Sequence, residues 1–227
     1  MMADLSANGY LLVPALLDLD ACARVGRLVG PQQGAGSRSL LAHPWCAQLA
    51  RRLYQDVRLA PLIGPDMVAF QCNYFEKSAQ QNWLVALHQD LSIPVAARVS
   101  TGAAHGAEQL RGWSVKEGCH FVQPPASLLE QLVAVRIHLD ACGPDDGPLR
   151  VVPGSHHAGI VPQNAALAMR DAHGQALCCA GIGDALLLRP LLLHASSRST
   201  GNSRRRVLHF VFGPCILPFG LEWHTMV

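Results

Sequence analysis

Residues 88 to 90 read His-Gln-Asp; His194 follows about a hundred residues later, and an arginine run, Arg204, Arg205 and Arg206, comes close behind it. Two imidazoles and one carboxylate can occupy one face of a metal ion and leave the opposite face open. That is the ligand arrangement of non-haem Fe(II) oxygenases. Residues two apart on a strand point the same way, so His88 and Asp90 can chelate together from one strand end. His194 must arrive from another strand. A guanidinium one short strand beyond it suits a carboxylate-bearing co-substrate, which it can grip with two parallel hydrogen bonds. A His-x-Asp pair is weak evidence alone: the chain holds eleven histidines, and His156, His157 and His209 compete with His194. The order adds weight: His-x-Asp, a long gap, a strand, histidine, a polar turn, then arginine. A hydrolytic zinc with a bound water would use the same three side chains but leaves the arginine unexplained.

Other chemistry-bearing residues sit on alternating runs. Val133, Val135, Ile137 and Leu139 share one strand face, which leaves Arg136, His138 and Asp140 on the other. A buried arginine without a partner is improbable. Arg136 therefore grips a substrate or co-substrate carboxylate, or else pairs with Asp140. His138 either lines the site or is a satisfied core histidine. In the arginine run, alternation puts Arg204 and Arg206 on one face and Arg205 on the other. His156, within Pro153-Gly154-Ser155-His156, reads as a residue that pins a turn.

The elements that must position these groups fall into two stretches. Residues 1 to 65 read as a mostly helical front: a short strand over Gly9 to Pro14, then helical repeats over Ala15 to Leu28 and Pro44 to Val57. From residue 66 to 227 the runs are short and apolar or alternating: Met67 to Phe75, Trp83 to His88, Leu132 to Leu139, Arg150 to Val152, Asp184 to Leu188 and Arg206 to Phe212. Such runs, punctuated by Gly, Pro, Asn and Ser, predict an antiparallel sandwich or barrel. Gly201 and Asn202 read as a hairpin signal between the last two strands. Ser92 to Pro125 has no clear period and is expected to form a long functional loop, which with Gly30 to Gly36 would make a lid.

The bulk properties bound the rest. With 227 residues, half of them hydrophobic and 15% charged, the chain reads as one well-cored domain. The net charge of +2, from 18 basic and 16 acidic side chains, offers no basic stripe for nucleic acid. The longest apolar run, Ala185 to Ala195, is broken by Arg189 and Pro190 and is too short for a bilayer. The N-terminus has no leader pattern and the eight cysteines are scattered, so a cytoplasmic protein with reduced thiols is expected. Nothing indicates an obligatory protein partner.

These residues together resemble the phytanoyl-CoA dioxygenase family, and the resemblance spans nearly the whole chain. Gly9 to Pro14 is similar to the family's opening strand. Phe75-Glu76-Lys77, Trp83 and His88-Gln89-Asp90 are similar to its metal-binding lead-in. Gly147 to His156 is similar to its Asn-Gly…Pro-Gly-Ser-His segment. Gly183-Asp184, His194-Ala195-Ser196 and Arg205 to Leu208 are similar to its closing motif. The resemblance implies a mainly β fold with flanking helices and a double-stranded β-helix (jelly-roll), cupin-like core. It implies an oxygenase using Fe(II), 2-oxoglutarate and O2 on a small-molecule substrate, releasing succinate and CO2. By position, His88, Asp90 and His194 would be the iron ligands. Arg205, eleven residues after His194, would hold 2-oxoglutarate, with Arg204 and Arg206 as fallbacks in register. Asn73 would lie against the co-substrate, and Trp113 is a candidate for the family's tryptophan near it. Asp90 stands where halogenating relatives carry a small residue, which favours hydroxylation. Desaturation, ring closure and epimerisation stay open.

Overall fold

The computed structural model of the chain describes residues 1–30, 36–37, 40–78, 80–100, 105–201 and 203–227. Six helices lie at α1 Met2–Asn8, α2 Leu19–Val29, α3 Pro44–Gln55, α4 Ala60–Ile63, α5 Ala126–Leu129 and α6 Gln163–His173. The first seven strands are β1 Tyr10–Val13, β2 Gly36–Ser37, β3 Met67–Lys77, β4 Val85–His88, β5 Ile93–Val95, β6 Arg111–Lys116 and β7 Cys119–Gln123. The remaining six are β8 Val133–His138, β9 Leu149–Val151, β10 Ala176–Cys178, β11 Ala185–Leu188, β12 His194–Ser196 and β13 Arg205–Pro214.

The strands form a six-stranded sheet ordered β1-β11-β8-β13-β3-β2, a four-stranded sheet ordered β10-β9-β12-β4, and a three-stranded sheet ordered β5-β7-β6. All named pairings are antiparallel. The two larger sheets make the jelly-roll expected from the alternating runs. On the large sheet, Val133, Val135, Ile137, Leu208, Phe210 and Phe212 face outward and pack with apolar residues of α1 to α4. The helical front is thus the cover of this sheet, and β1 and β2 are strands within it.

Differences from the expected elements have local causes. Helix α2 starts at Leu19 rather than Ala15 because the Asp18 carboxylate accepts the Ala21 amide at 2.6 Å and caps it there. The amides of Leu16 and Leu17 instead donate to the Gly183 carbonyl at 2.8 and 3.0 Å. Gly183 has φ 82°, and a Cβ there would lie 1.9 Å from the Leu17 carbonyl oxygen, so no other residue fits this crossing. Residues 92 to 125 are not one loop: within them β5, β7 and β6 form the third sheet. Its outer strand β6 is largely exposed, which masks the two-residue period. The stretch also includes residues 101–104, which lie outside the described residues, as do residues 31–35 of the proposed glycine-rich lid. The hairpin read at Gly201 and Asn202 is corrected, because β12 and β13 belong to different sheets and the chain crosses between them; Asn202 itself lies outside the described residues. Helix α6 was not anticipated. All eight cysteines are free. No described helix is long and apolar enough to cross a membrane.

Candidate metal centre

Strands β4 and β12 pair in the four-stranded sheet with His88 opposite His194. Leu87, Leu193 and Ala195 pack outward with Ala166 of α6. Period-two alternation then turns His88, His194 and Ser196 inward. Asp90 follows the end of β4, its backbone amide donating to Pro190 at 2.9 Å. The Gln89 amide ties this strand end down by donating to Leu191 at 2.6 Å and to Gly159 at 2.7 Å, and its oxygen accepts from the Val161 amide at 2.8 Å.

Ligand atoms of His88, Asp90 and His194 all lie within 4.8 Å of one another, a geometry no other trio of His, Cys, Asp or Glu attains among the described residues. The Asp90 carboxylate is 3.6 Å from His88 Nε2 and 3.7 Å from His194 Nε2. Around a metal with bonds of about 2.1 Å, neighbouring ligand atoms sit about 3 Å apart, so a small inward shift closes the set. Each imidazole is oriented in the same way. His88 Nδ1 donates to the Ala86 carbonyl at 2.8 Å and His194 Nδ1 to the Leu192 carbonyl at 2.9 Å. A carbonyl only accepts, so in the neutral ring the proton sits on Nδ1 and the Nε2 lone pair is left for a metal. Burial opposes charge on His88, yet Asp90 and the Ala86 carbonyl outweigh it and raise its pKa; burial dominates at His194 and lowers it.

These groups open into a cavity of about 370 Å³ whose far end is cationic. Arg205 is 2% exposed and donates through Nη1 to the Gly147 carbonyl, while its Nε has no partner. Beside it in register lies Lys77, fully buried, whose ammonium donates to Ser196 Oγ at 2.6 Å and to the Ser197 carbonyl. Burial first, then Arg205 and Arg136, brings the Lys77 pKa down to about 8. Gly147 must be glycine: its φ is 64°, and a Cβ would lie 2.5 Å from the Ser197 carbonyl oxygen and 3.2 Å from Lys77 Nζ. The arginine run divides as alternation predicts. Arg204 pairs with Glu76 at 2.7 and 3.0 Å, Arg206 pairs with Asp140 at 2.8 and 2.7 Å, and only Arg205 reaches the cavity.

His88, Asp90, His194, Arg205, Asn73 and Arg136 therefore line one cavity. Two expected residues do not. Trp113 sits on β6 with Arg98 5.6 Å from its ring, partly buried against the apolar cluster beneath the third sheet. His138 shares the inward face of β8 with Arg136 but lies beyond the cavity wall; it is buried, and neither ring nitrogen has a partner. Sequence reasoning missed Lys77, Ser196 and His209 as site residues. Counting by twos from Arg205 along β13 would have found His209, and from His194 along β12, Ser196. Counting by twos from Asn73 along β3 reaches Phe75 and Lys77, but only the β13–β3 register shows that Lys77 lies beside Arg205. His156 makes a backbone hydrogen bond, but a distant one: its Nε2 meets the Ser6 carbonyl of α1 at 3.0 Å and ties that helix to the Pro-Gly-Ser-His turn.

The same architecture recurs in solved structures. EctD from S. alaskensis in its apoform superposes with a TM-score of 0.69 at 18% identity, over 97% of this chain and 80% of that one. The non-haem α-ketoglutarate-dependent epimerase SnoN from nogalamycin biosynthesis gives 0.65 at 15% identity, covering 94% and 81%. AviO1 from Streptomyces viridochromogenes Tue57 gives 0.62 at 21% identity, covering 96% and 95%. At such identities the likeness is one of fold. A search of curated protein sequences returned no significant match. The family model for phytanoyl-CoA dioxygenase (PhyH) matches residues 5–207, a span that takes in the opening strand, the His-x-Asp pair, His194 and the arginine run. With nearly the whole length matched and the motifs folded around one cavity, the chain belongs to the phytanoyl-CoA dioxygenase family.

Proposed function

We propose that this chain is a single-domain Fe(II)- and 2-oxoglutarate-dependent oxygenase that hydroxylates a small or medium organic substrate. The observation that carries the reading is the convergence of two Nε2 atoms and one carboxylate, within 4.8 Å of one another, in the cavity that holds the buried Arg205. The donor set fits the metal, since the ring nitrogens left free are the inward ones and three neutral or anionic donors leave positions for co-substrate and oxygen. When bound, Fe(II) with 2-oxoglutarate supplies oxidative decarboxylation, with O2 consumed and succinate and CO2 formed as the substrate is oxidised.

The protein's part is to bind, orient and exclude water. His88, Asp90 and His194 would hold the metal, their orientation set by backbone carbonyls and by Gln89. Arg205 would hold the distal carboxylate of 2-oxoglutarate, with its free Nε available and Lys77 and Ser196 beside it. A buried carboxylate is stable only when paired and hydrogen-bonded, which this end of the cavity provides. Asn73, whose side-chain oxygen accepts from Gln71 at 2.9 Å, keeps its amide nitrogen free to donate to the co-substrate. Phe70, Phe75, Trp83 and Phe121 line the walls and keep the cavity dry.

Epimerisation or ring closure is the second reading, because SnoN is an epimerase and its fold neighbour SnoK a carbocyclase. The test is succinate formation with Fe(II), 2-oxoglutarate and O2 across a panel of small organic substrates. His88→Ala, Asp90→Ala and His194→Ala should each abolish it while leaving the thermal unfolding midpoint near wild type. Persistence of metal-dependent succinate formation in all three variants would sink the assignment. Products are identified by mass: a gain of one oxygen marks hydroxylation, loss of two hydrogens marks desaturation or ring closure, and unchanged mass marks epimerisation.

A further inference from the structure

Arg136 is the group in the cavity that the reading above leaves without work. It is 6% exposed and lies on β8 among residues buried without exception. Asp140, the acid that could have balanced it, is taken by Arg206. Among the described residues the Arg136 guanidinium makes no ion pair and its Nε has no hydrogen-bond partner; the Phe75 ring lies 5.3 Å away. Burial, then repulsion from Arg205, lowers its pKa. A guanidinium nevertheless stays protonated in proteins, so the fold retains a buried charge with no ion pair among the described residues.

The position is built rather than accidental. Across the large sheet Arg136 stands beside His209, which stands beside Asn73, and these three form one inward row of the cavity floor. Arg136 is also close enough to Asp90 to feel its charge. Charge counting then points to a ligand. Among the described residues Asp90 is the one carboxylate in the cavity wall, against Lys116, Arg136 and Arg205, with Lys77 behind Ser196. A divalent metal and a dianionic co-substrate cancel, which leaves the wall with a net positive charge. Lys116 is exposed and solvated, Lys77 is held by Ser196 and the Ser197 carbonyl, and Arg205 by the Gly147 carbonyl; Arg136 is the buried cation of this group for which no hydrogen bond is seen among the described residues.

We propose that Arg136 binds the substrate, and that the substrate carries a carboxylate; this rests on the oxygenase reading above. One planar guanidinium without an ion pair of its own balances a single negative charge and matches a carboxylate through two parallel hydrogen bonds. Arg136 would thus set specificity: it would accept carboxylic acids and reject their neutral amides, which leave its charge unpaired.

The experiment uses full-length protein loaded with Mn(II) and 2-oxoglutarate, titrated calorimetrically with acetate, benzoate and phenylacetate and with their amides. At least one acid should bind about tenfold or more tightly than its amide, the effect of a hydrogen bond to a charged group. Arg136→Gln should erase that preference and Arg136→Lys restore part of it, with 2-oxoglutarate affinity unchanged in both. The proposal is overturned if no acid outbinds its amide, or if the preference survives in Arg136→Gln. It is equally overturned if Arg136→Gln loses 2-oxoglutarate instead, which would assign the residue to the co-substrate. Failure of the oxygenase reading shows separately, as wild-type protein that takes up no 2-oxoglutarate with Mn(II). The acid-against-amide comparison on the unloaded protein then still reads Arg136.

Discussion

The two faces of the large sheet are made from the same strands yet do different jobs. Along β13, Leu208, Phe210 and Phe212 turn outward into the apolar cluster beneath the helices, while Arg205, His209 and Val211 turn inward and line the cavity. On β8 the division is the same, with Val133, Val135 and Ile137 outside and Ala134 and Arg136 inside. The outer face is sealed by packing. The inner face keeps several buried polar atoms without partners: Arg136 Nε, Arg205 Nε and His209 Nδ1. Unpaired buried polar groups cost stability, so the inner face trades stability for binding capacity. Alternation lets one strand do both without compromise to either.

Adjacent residues on β13 give the strongest way to break this comparison. Phe210→Ala should destabilise the fold by about 3–5 kcal/mol, as for other buried aromatic truncations, measured as a fall in the urea midpoint. His209→Ala, one position along, should leave that midpoint close to wild type. Equal losses in the two variants would mean that the inward face is core as well.

The arginine run sharpens the comparison next. Arg205→Ala should raise the 2-oxoglutarate requirement by about 2–5 kcal/mol, or about 30-fold and more, because it strips the partner from a buried carboxylate. Arg204→Ala breaks an exposed pair with Glu76 and should cost only about 0.2–1 kcal/mol of stability, with the co-substrate requirement untouched. A reversed pattern would show that the register of β13 is off by one.

Lys77 makes the inward face sensitive to pH. Its pKa is lowered from 10.5 to about 8 by burial, then by Arg205 and Arg136, so between those values the folded chain binds fewer protons than the unfolded one. The cost of its buried charge is therefore fully present below pH 8 and is relieved as pH rises towards 10.5. Wild type should gain stability relative to Lys77→Met across that window. Parallel pH curves for the two proteins would contradict the burial of a charged Lys77 beside Arg205.

Much of the site was legible in the residues themselves. His-x-Asp, a later histidine and an arginine on an alternating strand name donor atoms whose chemistry is specific, and alternation alone separated Arg205 from Arg204 and Arg206. The strand segments were legible wherever apolar residues recur with period two. The third sheet was not, because on β6 both faces are substantially wetted and the pattern that marks a half-buried strand is missing. Trp113 was drawn towards the site by its residue type, and nothing in the local sequence reveals that β6 holds it apart from the metal end.

Donor type, the facing of the alternating strands and the helical front followed from the order of side chains, since period and donor type are local properties, while the choice of His194 among the histidines leaned on the family resemblance. Three things required the folded chain: the pairing of His194 with His88, the placing of Lys77 beside Arg205, and the loss of Asp140 to Arg206, which leaves Arg136 alone. Each depends on register between strands far apart in the chain. Alternation forbids a shift by one residue but not by two, which keeps every side chain on its face and changes every neighbour.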